Sequence, residues 1–149
     1  MKLLIATAVT AVMASTGAFA GATKPGVVKF TDGAVAESLT GTAGDAAVGR
    51  DVFSNRKLGN CLACHVNSEM PEQSFQGEVG PPLDGVGDRW TTAELRGIVT
   101  NSKQMFEDTI MPAFYVDSGL NRVLKGFEGK SILSAQQVED VVAYLETLK

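Results

Sequence analysis

Cys61-Leu62-Ala63-Cys64-His65 puts two thiols three positions apart with an imidazole directly after, in a chain with no other cysteine and no other histidine. In this arrangement both thiols can add to the vinyl groups of one haem while the histidine reaches the iron. Two other chemistries compete for the same residues. A thioredoxin-like dithiol pair would sit after a strand in a βαβ pattern, and no such strand precedes Cys61. A zinc site would need a fourth ligand that two thiolates and one imidazole do not supply. The spacing therefore points to a single covalent haem c, with electron transfer as the chemistry it serves.

His65 fills one axial position of such an iron. With no second histidine the other falls to methionine, and the candidates beyond residue 20 are Met70, Met105 and Met111. Met70 follows His65 too closely to wrap to the opposite face. Met105 falls near the end of a helical stretch, where methionine ordinarily fills gaps in a core. Met111 precedes Pro112, which restricts it to extended backbone, and it lies far enough along the chain to pass round the porphyrin edge. Met111 is the expected second ligand. The imidazole also needs an acceptor for its other nitrogen. Pro81, in Gly80-Pro81-Pro82-Leu83, is placed to offer its carbonyl, although the two prolines equally suit a plain rigid turn.

Three helices must position these groups. Asp45 is a candidate N-cap for a helix through Phe53, with Gly59 as its expected stop. Val48 and Val52 share a face of it, and Gly49 in its middle suggests a close approach by another element. Thr91 with Glu94 forms one capping box, opening a helix that carries Leu95, Ile98 and Val99. Ser134 with Gln137 forms a second, opening a helix with Val138, Val141, Val142, Leu145 and Leu148 at helical spacing. No alternating strand pattern or internal repeat is present, so the expected fold is all-α, with three main helices around the haem.

Residues 1–20 read as a cleaved export signal, with Lys2, an apolar run from Leu3 and Ala18-Phe19-Ala20 as the cleavage pattern. That predicts a periplasmic protein without membrane insertion. Residues 21–44, rich in Gly, Thr and Ala, read as an irregular arm in which only Val27, Val28 and Phe30 offer apolar contact. Residues 45–149 then form one domain. The formal charge of −4 becomes more acidic once Lys2 is lost, which disfavours nucleic acid as a partner.

On the haem motif, the Gly80-Pro81 turn, the Met111-Pro112 loop and the terminal helix, the chain resembles the class I cytochrome c family over residues 45–149. Gly49, Phe53 and Tyr144 match that family's contact between first and last helices. Gly59-Asn60-Cys61-Leu62-Ala63-Cys64-His65, Gly80 through Trp90, Thr109 through Tyr115, Gly119 through Val123, Gly129 through Ser134 and Val138 through Leu145 further resemble the SoxX family, the monohaem cytochrome c subunits of SoxAX complexes. This resemblance implies an electron-transfer subunit paired with SoxA in a thiosulfate-oxidising L-cysteine S-thiosulfotransferase. Thiosulfate would be joined to a cysteine of the carrier SoxYZ, the catalytic cysteine would belong to SoxA, and electrons would pass to a downstream cytochrome. It also places Arg89 and Trp90 where such proteins often hold a haem propionate; a solvated charge and a core aromatic are the plainer roles for those two. Phe114 and Tyr115 suit either packing or docking. A freely diffusing periplasmic monohaem carrier is the competing function.

Overall fold

The computed structural model describes residues 21–149, so the export signal expected over 1–20 lies outside the described residues. Among the described residues four α-helices follow in order, α1 (Ala46–Ser54), α2 (Val86–Arg89), α3 (Thr92–Asn101) and α4 (Ala135–Leu145), separated by loops and single 3-10 turns. Among the described residues the only β pairing is an isolated bridge between Thr31 and Ala34.

The ends of the three longer helices are set by local chemistry. Asp45 accepts from Ala47 N and Val48 N at the start of α1, and both expected capping boxes are formed at Thr91 and Ser134. Each satisfies N–H groups that would otherwise be left without partners in the first turn. α1 ends at Ser54, well before Gly59, because the chain turns to extended backbone at Asn55. Its inward face is Gly49, Val52 and Phe53, whereas Val48 is exposed.

That face is chosen by the crossing of α1 and α4. A Cβ on Gly49 would lie 1.9 Å from Asp140 O, so the two backbones touch where only glycine fits. Beside the crossing, Phe53 and Tyr144 stack edge to face with ring centroids 5.4 Å apart. The Tyr144 hydroxyl accepts from Asn67 Nδ2 at 2.8 Å, and burial raises its pKa. Val138, Val141, Val142, Leu145 and Leu148 on and just beyond α4 complete the core with Leu95 and Val99 of α3.

The arm is irregular but firmly attached, and its anchors differ from those expected. Val27 is exposed, Val28 and Phe30 only partly buried, while Val35 and Leu39 are buried in the core. Val35 N donates to Ala93 O at 2.9 Å, and Leu39 N donates to Glu139 Oε1 at 2.7 Å. Arg96 Nε donates to the same Glu139 oxygen at 2.9 Å, and its Nη1 donates to Val35 O at 2.8 Å. A buried ion pair between α3 and α4 thus serves as the fixing point for arm backbone, with its remaining hydrogen-bonding capacity used locally.

One buried side-chain polar atom among the described residues, Thr100 Oγ1 on α3, has no hydrogen-bond partner. Leaving such a hydroxyl unpaired costs about 1–3 kcal/mol. Thr100→Val, which keeps the shape, is therefore expected to raise stability by about 1 kcal/mol. Denaturant unfolding of the holoprotein checks this, and a loss of stability would mean that the hydroxyl has a partner in the loaded protein.

Candidate haem site

Cys61–Ala63 form a 3-10 turn entered through Asn60 in the left-handed region, and His65 N closes the turn by donating to Cys61 O at 3.0 Å. This tight winding brings both thiols and the imidazole to one short stretch of backbone. Neither cysteine is in a disulfide. Burial pushes the Cys61 thiol up to about 12, the reverse of the lowered value that an attacking redox thiol needs.

The segment after the motif is stitched to the proline turn. Gly80 N donates to Cys64 O at 2.8 Å and Leu83 N to Val66 O at 2.9 Å. Ser68 contributes both its N and its Oγ to Asp84 Oδ1, at 2.9 and 2.8 Å. The two strands of loop so joined place His65 Nδ1 2.7 Å from Pro81 O. A carbonyl can only accept, so Nδ1 carries the proton and Nε2 keeps the lone pair that a metal requires. Gly80 shapes the other side of this contact: a Cβ there would lie 2.3 Å from His65 Cε1 and 2.8 Å from Nε2. The donor set therefore fits haem c, with a correctly protonated imidazole in a cradle that a side chain would fill.

Gly80→Ala tests the cradle. The added methyl must push the imidazole off Pro81 O, and the expected cost is about 1–3 kcal/mol in holoprotein stability. Thermal unfolding together with the spectrum of the ferric protein checks it; an unaltered pair of measurements would mean that the loop yields freely.

Arg89 Nη1 and Nη2 donate to Asp84 O and Pro82 O at 2.6 and 2.9 Å, so the guanidinium braces the turn that carries Pro81. Backbone carbonyls five and seven residues away are within easy reach of a planar fork of donors. Trp90 is half-buried and meets Phe106 edge to face at 5.9 Å. Phe114 and Tyr115 are both buried, and the Tyr115 hydroxyl donates to Thr23 O of the arm at 2.7 Å, so these two pack within the chain.

The three methionines separate by environment. Met70 is fully buried in the core. Met105 packs against the arm, where its Cβ would be 2.7 Å from a Cβ on Gly33. Met111 lies in a loop, half-buried, with its N donating to Thr109 Oγ1 at 3.2 Å and its O accepting from Ser102 Oγ at 3.0 Å and from Lys103 Nζ.

The cytochrome c family model matches residues 46–149. The chain belongs to the cytochrome c family. A crystal structure of SoxXA from P. pantotrophus contains a chain of 50% sequence identity and TM-score 0.81, the match covering 86% of this chain and 98% of that one. No curated protein matches. The helical arrangement is accordingly the class I cytochrome c fold, and the cofactor is covalent haem c, with which the Cys61 and Cys64 pair is consistent. Among the described residues no helix is long and apolar enough to cross a membrane.

Proposed function

We propose that this chain is the monohaem electron-transfer subunit of a SoxXA complex, exported to the periplasm and paired there with a SoxA subunit. The observation that carries this reading is the half-identical chain in a SoxXA structure, because that likeness extends over more of the sequence than the cytochrome match alone. A freely diffusing carrier is the less favoured reading for the same reason.

Bound haem c supplies a one-electron change of iron valence. The chain's own residues do the rest. Cys61 and Cys64 would hold the group through thioethers, which leaves this chain no free thiol. His65 presents Nε2, kept in orientation by the bond from Nδ1 to Pro81 O. Met111, on a loop tied to the end of α3, would supply its sulfur as the second protein ligand. With His65 and Met111 both holding it, the group would serve electron passage rather than oxygen or peroxide chemistry.

The complex would join thiosulfate to a cysteine of the carrier SoxYZ, the catalytic thiol being supplied by SoxA. A sulfur–sulfur bond forms, the carrier's S–H bond breaks, and one proton and two electrons leave. A single haem accepts those electrons one at a time, so each must be handed on singly to a downstream cytochrome. Production of the chain with haem-attachment machinery and its SoxA tests the reading. Intact mass and a pyridine haemochrome spectrum should report one porphyrin on two thioethers, and the chain should co-elute with SoxA in a preparation that reduces cytochrome when given thiosulfate and SoxYZ. A colourless product with both thiols open to alkylation would sink the haem assignment. A coloured monomer that never joins SoxA would sink the subunit assignment.

A further inference from the structure

α3 ends abruptly. At Asn101 the backbone swings to φ −156° and ψ 91°, and a new 3-10 turn, Ser102–Gln104, starts under the Asn101 side chain, which accepts from Lys103 N. Ser102 O accepts from Met105 N at 3.1 Å and Phe106 N at 2.9 Å, so the serine backbone is fixed. Its side chain is fully buried, and Oγ donates to Met111 O at 3.0 Å.

The far end of the same loop is held independently. Tyr115 N donates to Thr100 O at 3.0 Å, and Phe114 O accepts from Leu133 N at 2.9 Å. The segment from Thr109 to Ala113 thus runs from a turn closed by Thr109 N donating to Phe106 O at 3.2 Å to a firm hinge at Phe114 and Tyr115, and the one buried side chain that holds its middle is Ser102. Lys103 Nζ reaches the Met111 carbonyl as well, but from an exposed, flexible side chain whose contacts with water compete.

We propose that Ser102 is a positioning residue that keeps the Met111 loop closed over the haem iron, setting how often the sulfur lets go. The proposal rests on Met111 being the second axial ligand. For the sulfur to leave, its loop must swing outward. That movement separates Ser102 Oγ from Met111 O and leaves a buried hydroxyl without an acceptor, an expense that falls only on the open state. Removing the hydroxyl makes opening easier while the closed state keeps its lysine contact. Ser102 is then a latch acting through Met111, without touching the metal itself.

An added ligand that captures the open state reads this directly, since its apparent affinity scales with the open fraction. Imidazole titrations of the ferric holoprotein would be compared for wild type, Ser102→Ala, Ser102→Cys, Lys103→Ala and Met111→Ala, with haem loading checked in each. Ser102→Ala should bind imidazole about three- to tenfold more tightly, the range that loss of one buried hydrogen bond gives. It should retain the near-infrared sulfur-to-iron band when no imidazole is present. Ser102→Cys, near-isosteric and a weaker donor, should fall between alanine and wild type, and it serves alone if the alanine variant does not load. Lys103→Ala should stay within about twofold of wild type, as expected for an exposed contact. A purely structural serine would lower the melting temperature without moving imidazole affinity, and that result overturns the proposal. So does a larger shift from Lys103→Ala than from either Ser102 variant. If Met111→Ala keeps the near-infrared band, the ligand assignment itself fails and takes the latch with it. A band lost in Met111→Ala beside unchanged imidazole affinity in the Ser102 variants rejects the latch alone.

Discussion

Replacing Met111 with alanine is expected to abolish the weak near-infrared band of sulfur bound to ferric iron, to lower the reduction potential and to let carbon monoxide bind the ferrous protein rapidly at neutral pH. The loop itself should survive, since its attachments to Ser102, Lys103 and Thr109 use backbone or side chains other than the sulfur. Of the other two candidates, Met70 is sealed in the core and Met105 has its Cβ fixed beside Gly33 of the arm, so neither is placed to take over. Thioether ligation raises the potential of a c-type haem. Its loss should lower the midpoint by on the order of 100 mV, within the ~0.8 V that axial ligands span. Redox titration with the ferric spectrum decides the matter, and an unchanged midpoint with an intact band would place the second ligand elsewhere.

Gly49→Ala should severely destabilise the fold. The new Cβ would meet Asp140 O at 1.9 Å and the carbonyl carbon at 2.4 Å, with Tyr144 Cβ at 3.0 Å beyond. Backbone cannot step aside as a flexible side chain can, so α1 and α4 must separate. Separation loosens the Phe53 and Tyr144 stack and the capping contact from Asp45 N to Asp140 Oδ1 at 2.9 Å. Overpacking of a core costs about 1–3 kcal/mol, occasionally more, and a clash of two helix backbones belongs at or above the upper end, about 3 kcal/mol. That is a sizeable part of the ~5–15 kcal/mol by which domains are stable. Chemical denaturation of the loaded protein measures it, and a cost below about 1 kcal/mol would show that the crossing can relax.

What the sequence disclosed and what it withheld follow from the range of the interactions involved. Helix starts were legible because a cap and its partner lie within three residues, and the apolar spacing of α4 continues to Leu148 without interruption. Gly49 could be read as a contact point because glycine inside a helix is unfavourable unless something presses on it. The end of α1 was misplaced because Asn55, not the more conspicuous Gly59, turns the chain. The arm was harder. Val35 and Leu39 are isolated apolar residues without helical or strand spacing, and they are buried because their backbone groups meet Ala93, Arg96 and Glu139, contacts that carry no sequence signature. At the site, the cysteine and histidine spacing is local and therefore plain, whereas the two prolines alone left Pro81 as either an acceptor or a rigid turn, and the 2.7 Å contact with His65 Nδ1 depends on loops sixteen residues apart. The bracing of Pro82 O and Asp84 O by Arg89 was not legible, because backbone carbonyls as partners leave no mark in the sequence. Ser102 drew no notice, since a serine at the end of a helix has many ordinary uses, and only the position of Met111 O gives this one its meaning.

The attachment of the arm bears on how the protein is made. Leu39 meets Glu139 across a hundred positions of sequence, and Tyr115 meets Thr23 across ninety-two. A chain delivered from its amino end cannot finish this architecture until the last helix has emerged, because early residues wait for late ones. Contacts of such long span close slowly. A fold that closes last around its earliest residues is one in which a porphyrin would be attached to Cys61 and Cys64 before the arm is locked down.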